Sequence, residues 1–143
     1  MAKNKKFIFL EHTADIKFQS FGKTLNEAFE NSALAMFSAM YDGRVKAAIK
    51  KSIKVKGKDN ESLLYNFLEE LLFLLDSENF FLSRIKVKID EKNFKLEAEA
   101  EGDGAGKYPV HIDVKAVTYN QMFVKHEKTG KGERFICQVV VDV

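Results

Sequence analysis

Two stretches of this chain repeat their apolar residues every three or four positions, and the segments around them alternate instead. Leu25, Ala28, Phe29, Ala33, Met36, Phe37 and Met40 form one stripe; Leu63, Leu64, Phe67, Leu68, Leu71, Leu72 and Leu75 form the other. A period near 3.6 gives an amphipathic helix that must bury one face, and a period of two gives a half-buried strand. Thr24-Leu25-Asn26-Glu27 has the spacing of a capping box, and Tyr41-Asp42-Gly43 stops the first helix. Asp59-Asn60 caps the second, and Glu61 suits its N-terminal dipole. Phe73 and Leu74 make the last turn of that helix apolar nearly all round, so this end is expected to be buried on several sides.

The alternating segments complete the outline. Phe7–Leu10 and Ile16–Phe21 read as short strands, and Ile49, Ile53 and Val55 alternate with Lys50, Lys54 and Lys56. Ile85, Val87 and Ile89 alternate with Arg84, Lys86 and Lys88. Beyond a turn at Glu91-Lys92-Asn93, Phe94, Leu96, Ala98 and Ala100 alternate with Lys95, Glu97, Glu99 and Glu101. This predicts a hairpin that sets a basic strand against an acidic one. A glycine-rich loop over Gly102–Gly106, a long strand over His111–Lys125, a turn at Lys128–Gly132 and a last strand over Phe135–Val143 follow. The order β-β-α-β-α-β-β-β-β predicts an α+β fold. It is expected as a single domain over residues 1–143, with two amphipathic helices packed against a mixed, largely antiparallel β-sheet.

Composition narrows the function. The chain has 143 residues, 45% of them hydrophobic, with 13 Phe and a formal net charge of +2. A chain of this size buries about 70% of its unfolded surface, and the composition is too apolar for a disordered one. Near-neutral charge argues against bulk nucleic-acid binding. Lys50, Lys54 and Lys56 read first as a solvated strand face that discourages aggregation, with docking of RNA or an acidic partner as the other reading. One Cys excludes an internal disulfide and points to a reducing, cytoplasmic setting. The apolar run Phe7–Leu10 is too short for a signal peptide, and no stretch approaches the ~18 apolar residues of a membrane span.

Motifs for catalysis are missing. Gly102-Asp103-Gly104-Ala105-Gly106-Lys107 fails as a phosphate loop, since Glu101 takes the first Gly position, Tyr108 the Ser/Thr position, and no helix follows. Cys137 lies in an apolar strand, where a thiol is inert, and His12, His111 and His126 follow no metal-ligand spacing. Two polar features stand out. His12-Thr13-Ala14-Asp15 interrupts two apolar strands, and Val139-Val140-Val141-Asp142-Val143 ends an apolar strand with a carboxylate beside the α-carboxylate. Clustered carboxylates repel one another, and a hard divalent cation relieves that repulsion. On these residues alone the favoured reading is the plainer one, in which Asp15 caps a turn and Asp142 frays into solvent.

Several ordered blocks bear a resemblance that decides between these. Glu11-His12-Thr13-Ala14-Asp15, Gly22, the run Leu25-x-Glu27-Ala28-Phe29-Glu30-Asn31-x-Ala33, and Leu63-Leu64-x-x-Phe67-Leu68-Glu69-Glu70-Leu71-Leu72 come first. Val114-Lys115-Ala116-Val117-Thr118-Tyr119 and Val141-Asp142-Val143 complete them. Together they resemble the archease family along nearly the whole chain, with Phe67 a departure where the family often carries Trp. The resemblance implies a non-catalytic protein cofactor of the tRNA-splicing RNA ligase, which joins a 3′-phosphate or 2′,3′-cyclic phosphate end to a 5′-hydroxyl. The cofactor promotes guanylylation of the ligase by GTP and its repeated turnover. It implies a metal site at Asp15, Asp142 and the terminal carboxylate of Val143, holding Ca²⁺ or alternatively Mg²⁺ or Mn²⁺. RNA would be met only through the ligase, and no membrane is involved. Lys115 is expected to pair with a carboxylate or to touch the triphosphate, with an ordinary exposed lysine as the equal alternative, and His12 to support the site from behind. The competing expectation is a chaperone for RNA-modifying methyltransferases, acting through apolar surface near Phe73, Leu74, Phe80 and Phe81.

Overall fold

The computed structural model describes residues 5–12 and 14–143; Thr13 of the His12–Asp15 segment and residues 1–4 of the basic opening stretch lie outside. Its elements are β1 (Phe7–Leu10), β2 (Ile16–Gly22), α1 (Leu25–Met40), β3 (Ile49–Lys56), α2 (Asn60–Glu78), β4 (Phe80–Asp90), β5 (Lys95–Gly104), β6 (Ala116–Thr129) and β7 (Gly132–Asp142). A short 3₁₀ turn spans Ala105–Lys107. The expected α+β arrangement is present. The strands divide into two sheets, in the orders β1-β2-β7-β6 and β3-β5-β4, and every pairing described is antiparallel.

Both helices lean on both sheets, α1 on β2, β7 and β4, and α2 on β6 and β3. The stripes read from the sequence are the buried faces except at the end of α2, where Leu75 is half-buried and Phe73 exposed, so that end is not covered on several sides. Phe29 of α1 stacks on Phe67 of α2 with ring centroids 6.0 Å apart. Thr24 caps α1 by accepting the Glu27 N–H. Glu27 reaches back one residue further than a capping box requires, accepting the Lys23 N–H at 2.7 Å. The paired charges also fall in register. Glu97, Glu99 and Glu101 of the central strand β5 face Lys88, Lys86 and Arg84 on one side and Lys54, Ser52 and Lys50 on the other. Lys50 and Lys54 are therefore matched by carboxylates across the strand pair, while Lys56 stands opposite Lys95.

Three expectations change. Gly102 and Gly104 do not lie in a loop but continue β5. At Gly102 a Cβ would overlap the Phe81 carbonyl and the Phe80 ring, so close approach of β4 requires glycine there. His111–Lys115 is not strand; β6 begins at Ala116, after Pro109 and a link in which the His111 N–H donates to the Met40 carbonyl. Finally, Leu74, Phe80 and Phe81 are buried in the core, and Phe73 alone of that set is exposed. The apolar surface expected for a chaperone is absent at three of its four residues, because β4 starts four residues before the alternation that begins at Arg84 and carries Phe80 and Phe81 inward. Among the described residues no helix is long and apolar enough to cross a membrane.

Candidate metal centre

One end of the four-stranded sheet gathers the residues singled out in the sequence. Asp15 stands just before β2 and Asp142 is the last residue of β7. Ile16 pairs with Val141, so the two aspartates follow on neighbouring antiparallel strands at the same end. On the other side of β7, Ala116 pairs with Asp142, and the Lys115 N–H donates to the Asp142 carbonyl at 2.7 Å. This backbone bond, and the packing of the Val143 side chain against the core, tie the chain end down. The Asp142 side chain remains exposed.

His12 and Asp15 lie close to one another. Ala14 has φ 67°, the left-handed region that L-residues rarely occupy, and His12 Nδ1 lies 3.9 Å from Asp15 Oδ2. That separation is too long for a hydrogen bond. Nδ1 is buried and has no hydrogen-bond partner among the described residues, a state that a buried polar group adopts only at a cost. Strain and an orphaned nitrogen at one segment mark it as a functional candidate. The left-handed Ala14 was not readable, since alanine carries no preference for that region.

The donor chemistry suits a hard cation. Two aspartates and an α-carboxylate supply oxygen ligands only, the set preferred by Ca²⁺ and Mg²⁺. Among the described residues no three His, Cys, Asp or Glu side chains gather into a metal-holding group. The Lys115 side chain is exposed, and only its backbone N–H contacts the aspartate strand.

The family model described as "Archease protein family (MTH1598/TM1083)" matches residues 7–143. This chain belongs to the archease family. "Protein archease" of Sulfurisphaera tokodaii is 42% identical over 142 residues, covering 97% of this chain and 99% of the relative. "Protein archease" of Pyrococcus abyssi is 41% identical over 144 residues, covering 97% and 99%. The archease fold also matches the solution structure of Methanobacterium thermoautotrophicum protein 1598 with a TM-score of 0.82 and 38% identity, over 96% of this chain and 99% of that one.

Proposed function

We propose that this archease is a non-catalytic activator of the tRNA-splicing RNA ligase in the cytoplasm, promoting its guanylylation by GTP and its repeated turnover. The observation that carries this reading is the position of Asp15, just before β2, and Asp142, at the end of the neighbouring β7, at one sheet end beside the half-buried Val143. Family membership supports it.

Asp15, Asp142 and the Val143 α-carboxylate are the residues that would hold Ca²⁺, or Mg²⁺ or Mn²⁺. Bound there, the ion would offset the carboxylate charges and attract phosphate oxygens of GTP at the ligase. The chain's own part is to fix those oxygens. The β2–β7 register holds the aspartates, and the half-buried Val143 side chain, packed against the core, would keep the α-carboxylate at the sheet end. The Lys115 backbone holds Asp142, leaving its ammonium free to meet triphosphate or a carboxylate. His12 backs Asp15 from a partly buried position.

Purified ligase incubated with GTP tests the proposal. Wild-type protein is expected to accelerate guanylylation, while Asp15→Ala and Asp142→Ala lose the acceleration and keep the wild-type circular dichroism. Residues added after Val143 are expected to impair it likewise. Normal activation by both aspartate variants would overturn the carboxylate site. Recovery of an RNA-modifying methyltransferase, with no ligase, on the immobilised protein would favour the chaperone reading.

A further inference from the structure

The two sheets have four outer edges, and three of them are guarded. On β6 the outward N–H groups of Val117 and Val124 donate to Glu69 and Glu61 of α2, at 2.7 and 3.3 Å. On β4 those of Val87 and Ile89 donate to Glu30 and Asn26 of α1, at 2.8 and 3.0 Å. On β3 the outer positions carry Lys50, Lys54 and Lys56, and Asn66 of α2 donates to the Lys56 carbonyl at 2.8 Å. Charges and side-chain caps keep an edge from pairing with another chain.

Between Lys5 and Glu11, which flank it, β1 has neither along Phe7–Leu10 among the described residues. The Phe21 N–H donates to the Lys6 carbonyl at 2.9 Å, and Phe7 and Phe9 stand opposite Ser20 and Phe18. Antiparallel pairs alternate between bonded and non-bonded, so the N–H and C=O groups of Phe7 and Phe9 point away from β2. No side chain among the described residues takes them. Phe9 is 47% exposed, although its ring meets Phe7 and Phe18 edge-on, centroids 5.7 and 6.4 Å away.

We propose that β1 pairs with β1 of a second copy of this chain, antiparallel about a two-fold axis through Ile8. The segment Lys5-Lys6-Phe7-Ile8-Phe9-Leu10-Glu11 is its own complement in this register. Phe7 of each copy faces Phe9 of the other, and these are the residues whose backbone groups point outward. Lys5 of each copy faces Glu11 of the other, giving two opposite-charge pairs. A slip of one residue turns inward-bonded residues to the interface. A slip of two sets Lys5 against Phe9, or Phe7 against Glu11, and loses both charge pairs. The two-fold arrangement is isologous and closes on itself, covers the exposed Phe9 rings, and joins two four-stranded sheets into one of eight. The Asp15–Asp142 ends of the two copies then lie at opposite ends of the joined strand pair, so the proposal stands apart from the ligase reading.

Sedimentation velocity on the full chain over a concentration series tests it. Wild type is expected to move from one-chain to two-chain mass as concentration rises. Glu11→Lys, which sets lysine against lysine, is expected to weaken the dimer about tenfold or more, the loss of two charge pairs worth up to ~1 kcal/mol each. Lys5→Glu combined with Glu11→Lys restores the pairing with the charges exchanged. Phe9→Pro removes an outward N–H and leaves the β1–β2 bonds in place, and is expected to abolish the dimer with unchanged circular dichroism. A chain that stays monomeric at every concentration overturns the proposal, with the edge left for a strand of another protein. A dimer equally stable in Glu11→Lys and Phe9→Pro overturns it too, by placing the contact on another face.

Discussion

At the scale of single residues, Asp103 shows what local reading misses. It is 3% exposed yet charged, because the Tyr108 hydroxyl, the Gly104 N–H and the Lys107 ammonium donate to it at 2.7, 2.9 and 3.1 Å. The Tyr108 hydroxyl first, then Gly104 and Lys107, hold its carboxyl at about 2. Tyr108 also accepts the Lys46 N–H at 3.0 Å, so the cluster fastens the end of β5 to the segment after α1. A carboxyl depressed in the folded state stabilises it fully above its unfolded value near 4 and loses that contribution as pH falls through about 2. Thermal melts of Asp103→Asn are therefore expected to show a lower midpoint at neutral pH and a flatter acid limb than wild type between pH 4 and 2. A variant melting in parallel with wild type across that range would contradict this. Gly-Asp-Gly reads as a loop in sequence, and nothing local names Tyr108 as the partner. Cys137 was legible, by contrast. Its apolar neighbours place it in the core, and burial pushes the thiol up to about 12, far from any nucleophilic role.

At the scale of elements, both helices do more than bury a stripe. Their polar residues Asn26, Glu30, Glu61 and Glu69 reach across to sheet edges and accept backbone N–H groups. The Val117 N–H that Glu69 serves belongs to a residue only 2% exposed. Glu69→Ala leaves that donor without a partner, and urea unfolding is expected to show a loss of about 1–3 kcal/mol. Glu69→Gln, whose amide oxygen still accepts, is expected to lose less. Helix spans, caps and the charged hairpin were readable because each follows from period and neighbours. The edge-capping roles were not, because Glu61 in sequence is only a first-turn acid. Nor was the break in β6, where the register with β7 shifts between Thr118 and Phe123 and Gln121 takes φ 56°.

At the scale of the molecule, the class of fold was legible and the split into two sheets was not. Alternation says which residues turn inward, but pairing partners far apart in the chain leave no local trace. The pairing of Ile16 with Val141, which sets Asp15 beside the strand ending in Asp142, is of that kind, and only ordered family motifs, not spacing, point to it. The same long-range pairing bears on how the chain finds its shape. Ile16 meets Val141 across almost the whole sequence, whereas β3, β4 and β5 come from one continuous stretch and include a tight hairpin. Closing a large loop costs entropy before any contact repays it. The three-stranded sheet with α2 is thus expected to form in the rate-limiting step, and the β2–β7 seam to zip afterwards. Chevron kinetics are expected to give a φ-value near zero for Val139→Ala, which speeds unfolding, and a larger one for Val87→Ala, which slows folding. The end of the molecule that holds the aspartates would then be the last part to take form and the first to let go.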